Sequence, residues 1–313
     1  MAFNAPKVSV IIPNFNHGAY LPLRINSILS QTYQDFEIII LDDHSTDKSK
    51  EIIESYRENT KITKIIYNES NSGSTFKQWD KGIRASSGEY IWIAESDDWC
   101  DSNMLQVLVE GIEKDEDCVI SYCQSYCVEG DNKLRFTSQH EFLSEMVNGS
   151  DYVEKYLTSW VAIFNASMAI WRRSSYERVS REYLSFRLCG DWRFWIEIAL
   201  TGSVHISGRI LNYFRKHNQD VSGRVYKSGL NYLEELRVLE SLLKRKLVTR
   251  RKYFKIMKQV FKRYYAERSI FSYEAKTSIE KEFNGIRCES VNEWTYLKFS
   301  KYRYLIKNRI FKK

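Results

Sequence analysis

Three acidic side chains within four positions, Glu95, Asp97 and Asp98, are the residues whose types and spacing most clearly suggest chemistry. They directly follow an apolar run, 91–94, that is short, β-branched or aromatic and sharply bounded, as buried strands are. Carboxylates this close repel one another unless protons or a cation relieve the repulsion. Oxygen ligands of this kind suit Mg²⁺ or Mn²⁺, which bind through one or two carboxylates together with substrate phosphates. The alternative is a solvated acidic turn in which Asp98 caps the next helix.

The residues before this run predict the fold that positions it. Apolar strands are predicted at 8–13, 36–41 and 62–67, and a helical pattern follows each one. Strands that alternate with helices and are apolar on both faces predict an α/β fold, with a mostly parallel sheet sandwiched by helices. In such sheets ligands bind at the carboxyl ends of the strands. Polar residues lie at those ends here: Asn14 to His17, Asp42 and Asp43, Asn71 to Ser74, and the three acids.

The rest of the chain falls into two regions. Up to residue 223 the patterns predict helices at 105–112 and 190–200, strands at 119–122, 165–171 and 211–217, and a loop or hairpin at 128–146. From residue 226 onward leucines and then aromatic residues recur at helical spacing, which predicts a helical extension. We therefore expect one domain at 1–223 and a basic, aromatic-rich helical region at 224–313.

The composition excludes several classes of protein. A hydrophobic content of 43% with 28% charged residues is ordinary for a globular protein. No segment approaches the ~20 apolar residues of a membrane span, and the N-terminus lacks a signal-peptide pattern. The six cysteines have no paired metal spacing, which favours a reducing, cytoplasmic location. The absence of a P-loop or GxGxxG sequence argues against a kinase or a dehydrogenase.

Charge is unevenly distributed along the chain. Residues 224–313 carry 24 Lys and Arg against 9 Glu, a net charge of +15, whereas residues 1–223 have a net charge of −8. The basic region could be a solvated helical face or could attach to an anionic membrane surface through its cations and aromatic rings. Nucleic-acid binding is not expected, because the larger region is acidic and contains no RNA- or DNA-binding motif.

Taken together, the motifs resemble the family 2 inverting glycosyltransferases, which have the GT-A nucleotide-diphospho-sugar fold. The resemblance covers about residues 6 to 223, and its motifs occur in the family's order. The matching segments are Val8 to Asn16, Ser27 to Tyr33, Asp42 to Asp47, Gly88 to Ile91, Ser96 to Asp98, Asn165 to Ser167, Asp191–Trp192, and Tyr213 to His217.

The resemblance implies a nucleotide pocket at the end of the first two strands. Pro13, Asn14 and Phe15 would line the base, with Phe15 stacking on it, and Asp43 would accept a hydrogen bond from the base. An acid that accepts from a ring N–H favours uracil or thymine over cytosine. The alternative for Asp43 is a helix cap or an Asx turn.

The resemblance also implies a metal site, because residues 95–97 occupy the position of the family's DxD motif. Asp97 would be the direct ligand of Mg²⁺ or Mn²⁺, with Glu95 and His217 as further ligands. Ser96 would contact the nucleotide. Asp98 would belong to the diphosphate or acceptor side of the site.

On the acceptor side, Asp191 occupies the position of the family's general base, which removes the proton of the acceptor hydroxyl. Its alternative is a helix N-cap. Trp192 would belong to the core with Trp195 or face the acceptor. Arg215 would close over the diphosphate together with His217, for which a loop or packing role is the alternative.

Three departures from the family pattern accompany these assignments. Glu95 replaces the first Asp of the DxD motif, and Gly190 replaces the Glu that usually precedes the base. Phe76 and Lys77 stand where the family usually has an Arg-Asn pair; Lys77 would contact phosphate or be a solvated helix lysine.

The expected function is transfer of a sugar from a nucleotide-diphosphate sugar to a saccharide or lipid-linked saccharide acceptor during surface-polysaccharide biosynthesis. A UDP-sugar is the expected donor, ahead of dTDP- or GDP-sugars. The protein would act in the cytoplasm, with peripheral contact to the inner face of the cell membrane. The alternatives are a nucleotidyltransferase with the same type of sheet, or a catalytically silent membrane-associated binding module.

Overall fold

A computed structural model describes residues 5–130, 133–158, 161–217 and 228–293, together with 295 and 297. These residues form two compact units. The first contains the described residues of Met1–Tyr152 and Ala162–His217, and the second contains those of Val153–Val161 and Asn218–Lys313. The predicted domain boundary at 223/224 lies outside the described residues.

The first unit is built on one mixed sheet, in which ten strands are found among the described residues. The strand order is β3-β2-β1-β4-β9-β6-β10-β5, with β7 beside β6 and β8 beside β10. The strands are β1 (Val8–Asn14), β2 (Phe36–Asp42), β3 (Ile62–Tyr67), β4 (Tyr90–Ile93), β5 (Trp99–Cys100), β6 (Cys118–Glu129), β7 (Leu134–Thr137), β8 (Ser144–Asn148), β9 (Ala169–Arg172) and β10 (Ser203–Lys216).

The direction of the strands confirms the predicted α/β class. β1 pairs in parallel with β2 and β4, β2 pairs in parallel with β3, and β6 pairs in parallel with β10. β9 is antiparallel to both β4 and β6, so these two groups of parallel strands point the same way. The carboxyl ends of six strands therefore lie along one edge of the sheet.

Helices connect the parallel strands as expected for an α/β fold. The α-helices of the described chain are α1 (Leu21–Leu29), α2 (Ser49–Ser55), α3 (Thr75–Ala85), α4 (Met104–Ile112), α5 (Gly149–Tyr156), α6 (Gly190–Ala199), α7 (Leu230–Lys244), α8 (Arg250–Glu267) and α9 (Tyr273–Gly285). Short 3₁₀ helices lie at Ala166–Met168, Arg173–Arg178, Arg181–Ser185 and Arg268–Ile270. None of the helices in the described ranges has the length and apolarity needed to cross a lipid bilayer.

Burial explains which strands were predicted well. Every residue of β1, β2 and β4 is buried, as continuous apolar runs require of a sheet covered on both faces. β3 departs from the expectation that each strand is buried on both faces. It is the edge strand, and its residues are half-buried or exposed.

Strands β6 and β10 are longer than the sequence predicted. The predicted segment at 119–122 lies within β6, which has 12 residues, and the predicted segment at 211–217 overlaps the end of β10, which has 14 residues. Polar residues break the apolar pattern, among them His205, but they remain paired because β10 lies between β6 and β8. The predicted loop or hairpin at 128–146 contains β7, which pairs with β6, and the first residues of β8.

The second unit contains α7, α8 and α9, which confirms the predicted C-terminal helices. The predicted apolar face of α8 is buried: Tyr253, Phe254, Ile256, Met257, Val260, Phe261, Tyr264 and Tyr265. Of the lysines between them, Lys255 and Lys262 are exposed and Lys258 is half-buried. The second unit is therefore a helical body with its own apolar core and a basic surface.

Candidate functional site

Loops that follow the parallel strands meet at the carboxyl edge of the sheet. Asn14 and Asp42 end β1 and β2 in register, and the Asn14 amide donates to Asp42 Oδ1 at 2.7 Å. Asp43 receives a hydrogen bond of 2.6 Å from Asn68, the residue after β3. The loop at residues 94–98, here called the acid loop, follows β4. The Asn71–Ser74 loop contacts Asp43 through Ser72, and the acid loop contacts the first loop through Ser96 and His17, so the predicted convergence is seen for all four loops.

Asp43 is held by a frame of hydrogen-bond donors. Its carboxylate accepts from the Ser72 backbone N–H at 2.8 Å, from the Ser72 hydroxyl at 2.7 Å and from the Gln78 amide at 3.0 Å. Asp43 is buried. It is not the N-cap of α2, which begins after Lys48 without a side-chain cap. Asp43 is thus a fixed acceptor at the sheet edge.

The end of β1 presents an aromatic ring beside this acceptor. Phe15 is 42% exposed, which is unusual for a large apolar side chain next to a fully buried strand. Pro13 and Asn14 are buried beneath it, and Asn14 Oδ1 has no hydrogen-bond partner among the described residues. Asn16 and His44, in the two adjoining loops, have φ values of 56° and 64°, in the left-handed region. Backbone strain of this kind is concentrated at ligand sites.

The three acids of the acid loop have different partners. Glu95 Oε1 accepts from the Trp79 indole at 2.9 Å. Asp98 Oδ2 accepts from Asn165 at 2.8 Å and from the Ser167 hydroxyl at 2.6 Å. Asp98 does not cap the next helix, since Asn103 occupies the N-cap position of α4. The acid loop is therefore not a solvated turn.

Asp97 lies in a different environment, beside two imidazole rings. Its Oδ2 is 3.0 Å from His217 Nε2. His17, Asp97 and His217 each offer one ligand atom, and these three atoms lie within 4.8 Å of one another. The predicted ligands Asp97 and His217 are thus brought together, whereas Glu95 is not part of this group. The three residues are called the His–Asp–His group below.

Electrostatics separate the three acids further. Burial, reinforced by the charge of Asp97, raises the pKa of Glu95 to about 8 and that of Asp98 to about 6. Burial also opposes ionisation of Asp97, but the hydrogen bond from His217 and the adjacent imidazoles hold the pKa of Asp97 below its usual value. Negative charge is therefore concentrated on Asp97, the acid that faces the imidazoles.

The His–Asp–His group fits a divalent cation by the chemistry of its donors. A carboxylate with two imidazoles suits Mn²⁺ and the later first-row metals, because imidazole binds these ions better than it binds Mg²⁺. The carboxylate has a depressed pKa, so it is ionised when a metal binds.

Two basic residues predicted to contact phosphate lie at this edge. Arg215 donates through Nε to the Asp97 backbone carbonyl at 3.0 Å, and its guanidinium lies 4.5 Å from the Trp99 ring. Its backbone N–H donates to Asp98 Oδ1 at 2.9 Å. Lys77 is on the first turn of α3, where its Nζ is 3.4 Å from the Ser72 carbonyl. Arg215 therefore holds the acid loop itself, while Lys77 contacts the loop that frames Asp43.

Asp191 and Trp192 lie on the first turn of α6. Asp191 is half-buried, and its Oδ1 accepts from the Trp192 backbone N–H at 2.7 Å. Asp191 is not the N-cap, because α6 begins at Gly190 after Cys189. Trp192 is only 6% exposed. Trp192 therefore lies largely in the core, and little of its ring is exposed for contact with an acceptor.

Comparison with known proteins identifies the family. A family model described as "Glycosyl transferase family 2" matches residues 9–180, more than half of the chain. This chain belongs to glycosyl transferase family 2. The matched region includes His17, Asp43 and the acid loop, whereas Asp191 and residues 215–217 lie beyond it.

Individual family 2 relatives are moderately similar. Glycosyltransferase GlyG of Streptococcus pneumoniae is 34% identical over 164 residues, which are 52% of this chain and 54% of GlyG. This chain thus spans about half the length of GlyG. The GalNAc(5)-diNAcBac-PP-undecaprenol beta-1,3-glucosyltransferase of Campylobacter jejuni is 25% identical over 244 residues, 76% of each protein.

A solved structure supports the fold assignment. The crystal structure of S. aureus TarS 1-349 in complex with UDP-GlcNAc has a TM-score of 0.63 and is 19% identical. It covers 95% of this chain and 80% of the TarS chain. At this identity the similarity establishes the GT-A type of fold and no more.

Two departures from the family 2 pattern are in contact with each other. A Cβ added at Gly190 would lie 2.5 to 2.8 Å from three ring atoms of Phe76. Phe76 is buried against the rings of Trp79 and Tyr183. The Phe76 ring therefore fills the space that a side chain at position 190 would need, so the two departures are sterically coupled.

Several residues at this edge were not singled out from the sequence. His17 was included only as part of a polar loop, although its position directly after Asn16 at a strand end was a usable signal. Arg24, which is fully buried on α1, donates to the Glu95 carbonyl at 3.0 Å. Ser167 was part of a matching motif, but it contacts Asp98, which lies 69 positions away in the chain. Such contacts arise only from the tertiary fold.

Proposed function

We propose that this family 2 protein is a metal-dependent inverting glycosyltransferase that takes a sugar from a UDP-sugar. The observation that supports this most is that an exposed aromatic ring (Phe15) and a buried carboxylate (Asp43) lie at the same sheet edge as the His–Asp–His group. A nucleoside diphosphate offers a base to the first and charged phosphates to the second. Neither feature alone would distinguish this donor from other phosphorylated ligands.

The base would occupy the pocket formed by Pro13, Asn14, Phe15 and Asp43. Phe15 offers an exposed ring for stacking, which is worth about 1–3 kcal/mol per base in nucleic-acid sites. Asp43 Oδ2, which receives only the Ser72 hydroxyl among the hydrogen bonds described above, would accept the N3–H of uracil. The TarS structure was determined with UDP-GlcNAc, which agrees with a UDP-sugar for this fold.

The diphosphate would lie over the acid loop. Asp97 and His217 would hold the divalent ion, which when bound neutralises charge on the departing nucleoside diphosphate. Arg215 and Lys77 would add positive charge on either side, and Ser96 would contact the nucleotide or support its neighbours. Asp98, already held by Asn165 and Ser167, would keep the loop in this conformation.

Transfer would use Asp191 as general base. In a single displacement the acceptor hydroxyl oxygen attacks the anomeric carbon, the bond to the diphosphate oxygen breaks, and Asp191 takes the hydroxyl proton. The anomeric configuration is inverted because no covalent sugar–enzyme intermediate forms. Trp192 would support the base from the core rather than form an exposed acceptor platform.

The acceptor would be a saccharide or a lipid-linked saccharide of surface-polysaccharide assembly. The name of the Campylobacter relative includes an undecaprenol-linked saccharide. The exposed lysines of α8 suit peripheral contact with an anionic lipid surface. The protein would then act in the cytoplasm, at the inner face of the cell membrane.

Calorimetry with UDP tests the proposal. We expect UDP to bind with micromolar affinity in the presence of Mn²⁺ and much more weakly in EDTA. Asp97→Asn should weaken the Mn²⁺-dependent binding at least tenfold. Glu116→Gln, which changes an exposed acid on the loop before β6, is the matched control and should bind UDP normally. Equal UDP binding with and without Mn²⁺, or no binding, would contradict the proposal.

A further inference from the structure

The third ligand position of the His–Asp–His group is contributed by a residue that the family pattern does not mark. His17 comes from the loop after β1, Asp97 from the acid loop and His217 from the residue after β10. Their ligand atoms lie within 4.8 Å of one another, so one ion could contact all three. Three protein ligands from three separate loops are also sufficient for a site that keeps open positions for phosphate oxygens.

The imidazole of His17 is oriented by a neighbouring side chain. Its Nδ1 lies 2.9 Å from the Ser96 hydroxyl. Metal-binding histidines commonly use one ring nitrogen for such a contact and the other for the metal, because the contact fixes both tautomer and ring direction. The tautomer with its proton on Nδ1, donated to Ser96, would present the Nε2 lone pair to a metal. Ser96, between Glu95 and Asp97 in the acid loop, thus orients the His17 imidazole.

Packing of the rings supports the same arrangement. The His17 and His217 rings meet edge to face, with centroids 5.3 Å apart, and the Tyr20 ring lies within 5.7 Å of both. The Arg215 guanidinium covers the Tyr20 ring at 5.0 Å. The two imidazoles are therefore held close to each other by aromatic neighbours.

Glu95, by contrast, is held by contacts on every side. Trp79, which is 2% exposed, donates to its carboxylate at 2.9 Å. The Glu95 carbonyl accepts from Arg24, and the Glu95 backbone N–H donates to the Ser167 hydroxyl at 3.0 Å. Coordination through Oε1 would leave the buried Trp79 indole N–H without a partner, which is costly. Neither Glu95 oxygen belongs to the group of ligand atoms that lie within 4.8 Å of one another.

We propose that His17 is the third metal ligand of this protein, and that Glu95 is a positioning residue that anchors the acid loop through Trp79 and Arg24. This deepens the proposed function, since it concerns the metal of the same site. The resulting donor set of two imidazole nitrogens and one carboxylate oxygen selects Mn²⁺ or a later first-row ion over Mg²⁺.

Mn²⁺ binding to the full chain, without nucleotide, tests this directly. Affinity is measured by calorimetry, and imidazole coordination by the nitrogen couplings in pulsed electron paramagnetic resonance of bound Mn²⁺. We expect the parent to show two coordinated imidazoles and to bind Mn²⁺ at least tenfold more tightly than Mg²⁺. His17→Asn should lose one imidazole and about tenfold or more in Mn²⁺ affinity. His44→Asn, a substitution in the adjoining loop at a left-handed residue that Asn tolerates, is the matched control and should change neither.

Two variants of Glu95 show whether this residue anchors the acid loop or binds the metal. Glu95→Gln keeps an oxygen that can accept from Trp79, so it should retain Mn²⁺ affinity within about threefold and retain both imidazole signals. Glu95→Ala should lower Mn²⁺ affinity, because the acid loop loses its anchor. If Glu95→Gln is as damaging as Glu95→Ala while His17→Asn binds Mn²⁺ normally, Glu95 is the ligand and the proposal is wrong. A parent that binds no Mn²⁺ overturns it as well.

This outcome is separable from that of the proposed function. Mn²⁺ bound through His17 in a protein that fails to bind UDP would leave the metal site intact and remove the donor assignment. If His17→Asn binds both UDP and Mn²⁺ as tightly as the parent, His17 is not a metal ligand, whereas the UDP-sugar donor assignment stands.

Discussion

The contact between Gly190 and Phe76 leads to a quantitative prediction for Gly190→Ala. Ordinary carbon–carbon contacts are ~3.5–4.0 Å, whereas the new Cβ would lie 2.5 Å from the nearest ring atom. The ring cannot move away easily, because it is 4% exposed and packs against Trp79 and Tyr183. Overpacking of this kind costs about 1–3 kcal/mol.

Helix propensity opposes this cost only partly. Replacing Gly by Ala inside a helix gains up to about 1 kcal/mol, and less is gained at the first residue of α6. We therefore expect Gly190→Ala to lower the free energy of unfolding by about 1–2 kcal/mol. Gly130→Ala is the control in the same unit, because nothing lies within 4 Å of its added Cβ. It should be neutral or slightly stabilising.

Urea unfolding followed by tryptophan fluorescence measures these effects. Six of the eight tryptophans belong to the first unit, so the signal reports mainly on the unit that contains Gly190. Phe76→Leu replaces the ring by a smaller side chain. In that background Gly190→Ala should lower the free energy of unfolding by at most half as much as in the parent, since residues in contact are energetically coupled. Gly190→Ala that is more stable than the parent, or strictly additive with Phe76→Leu, would refute the packing argument.

Three further predictions concern the base pocket, the catalytic base and a buried histidine. Phe15→Ala should weaken UDP binding about tenfold in calorimetry while leaving urea stability unchanged, because the ring is exposed; unchanged affinity would remove its stacking role. Asp191→Asn should bind Mn²⁺ and UDP normally but transfer sugar at least 100-fold more slowly, the usual range for losing a general base; wild-type turnover would exclude Asp191 from that role. His205 is buried between Ser121 and Ser144, and burial lowers its pKa to about 4 from 6.5, so only the unfolded chain gains a proton between these values. Stability should therefore fall as pH is lowered from 6.5 to 4, by up to about 3 kcal/mol from this group, and His205→Gln should show a correspondingly flatter urea-stability profile over that range.

The central fold could be predicted from the sequence because its strands are buried on both faces. β1, β2 and β4 are continuous apolar runs, and their burial confirms the α/β prediction. The first half of β10 gave no such signal. Its polar residues, such as His205, are satisfied by serines of neighbouring strands, and those partners are visible only in the folded sheet.

The location of the candidate site was predictable, whereas the separate roles of its acids were not. Topology alone places the ends of parallel strands at one edge, which is why Asn14, Asp43 and Asp97 could be grouped in advance. The Glu95 carboxylate is bound by Trp79, 16 positions away, and the Glu95 backbone carbonyl is bound by Arg24, 71 positions away. The approach of His17 to His217 spans two hundred residues. No local pattern encodes contacts of this separation.

The most direct test of the account is the identity of the products formed from a UDP-sugar. The parent protein and Asp97→Asn are incubated with UDP-GlcNAc or another UDP-sugar and Mn²⁺, with water as the acceptor. The phosphorus products are followed by ³¹P nuclear magnetic resonance, and the anomeric configuration of the released sugar is followed by ¹H nuclear magnetic resonance. We expect the parent to release UDP and the sugar to be released with inverted anomeric configuration. EDTA or Asp97→Asn should suppress the release of UDP. Release of pyrophosphate, retention of configuration, or equal UDP release by Asp97→Asn would contradict it.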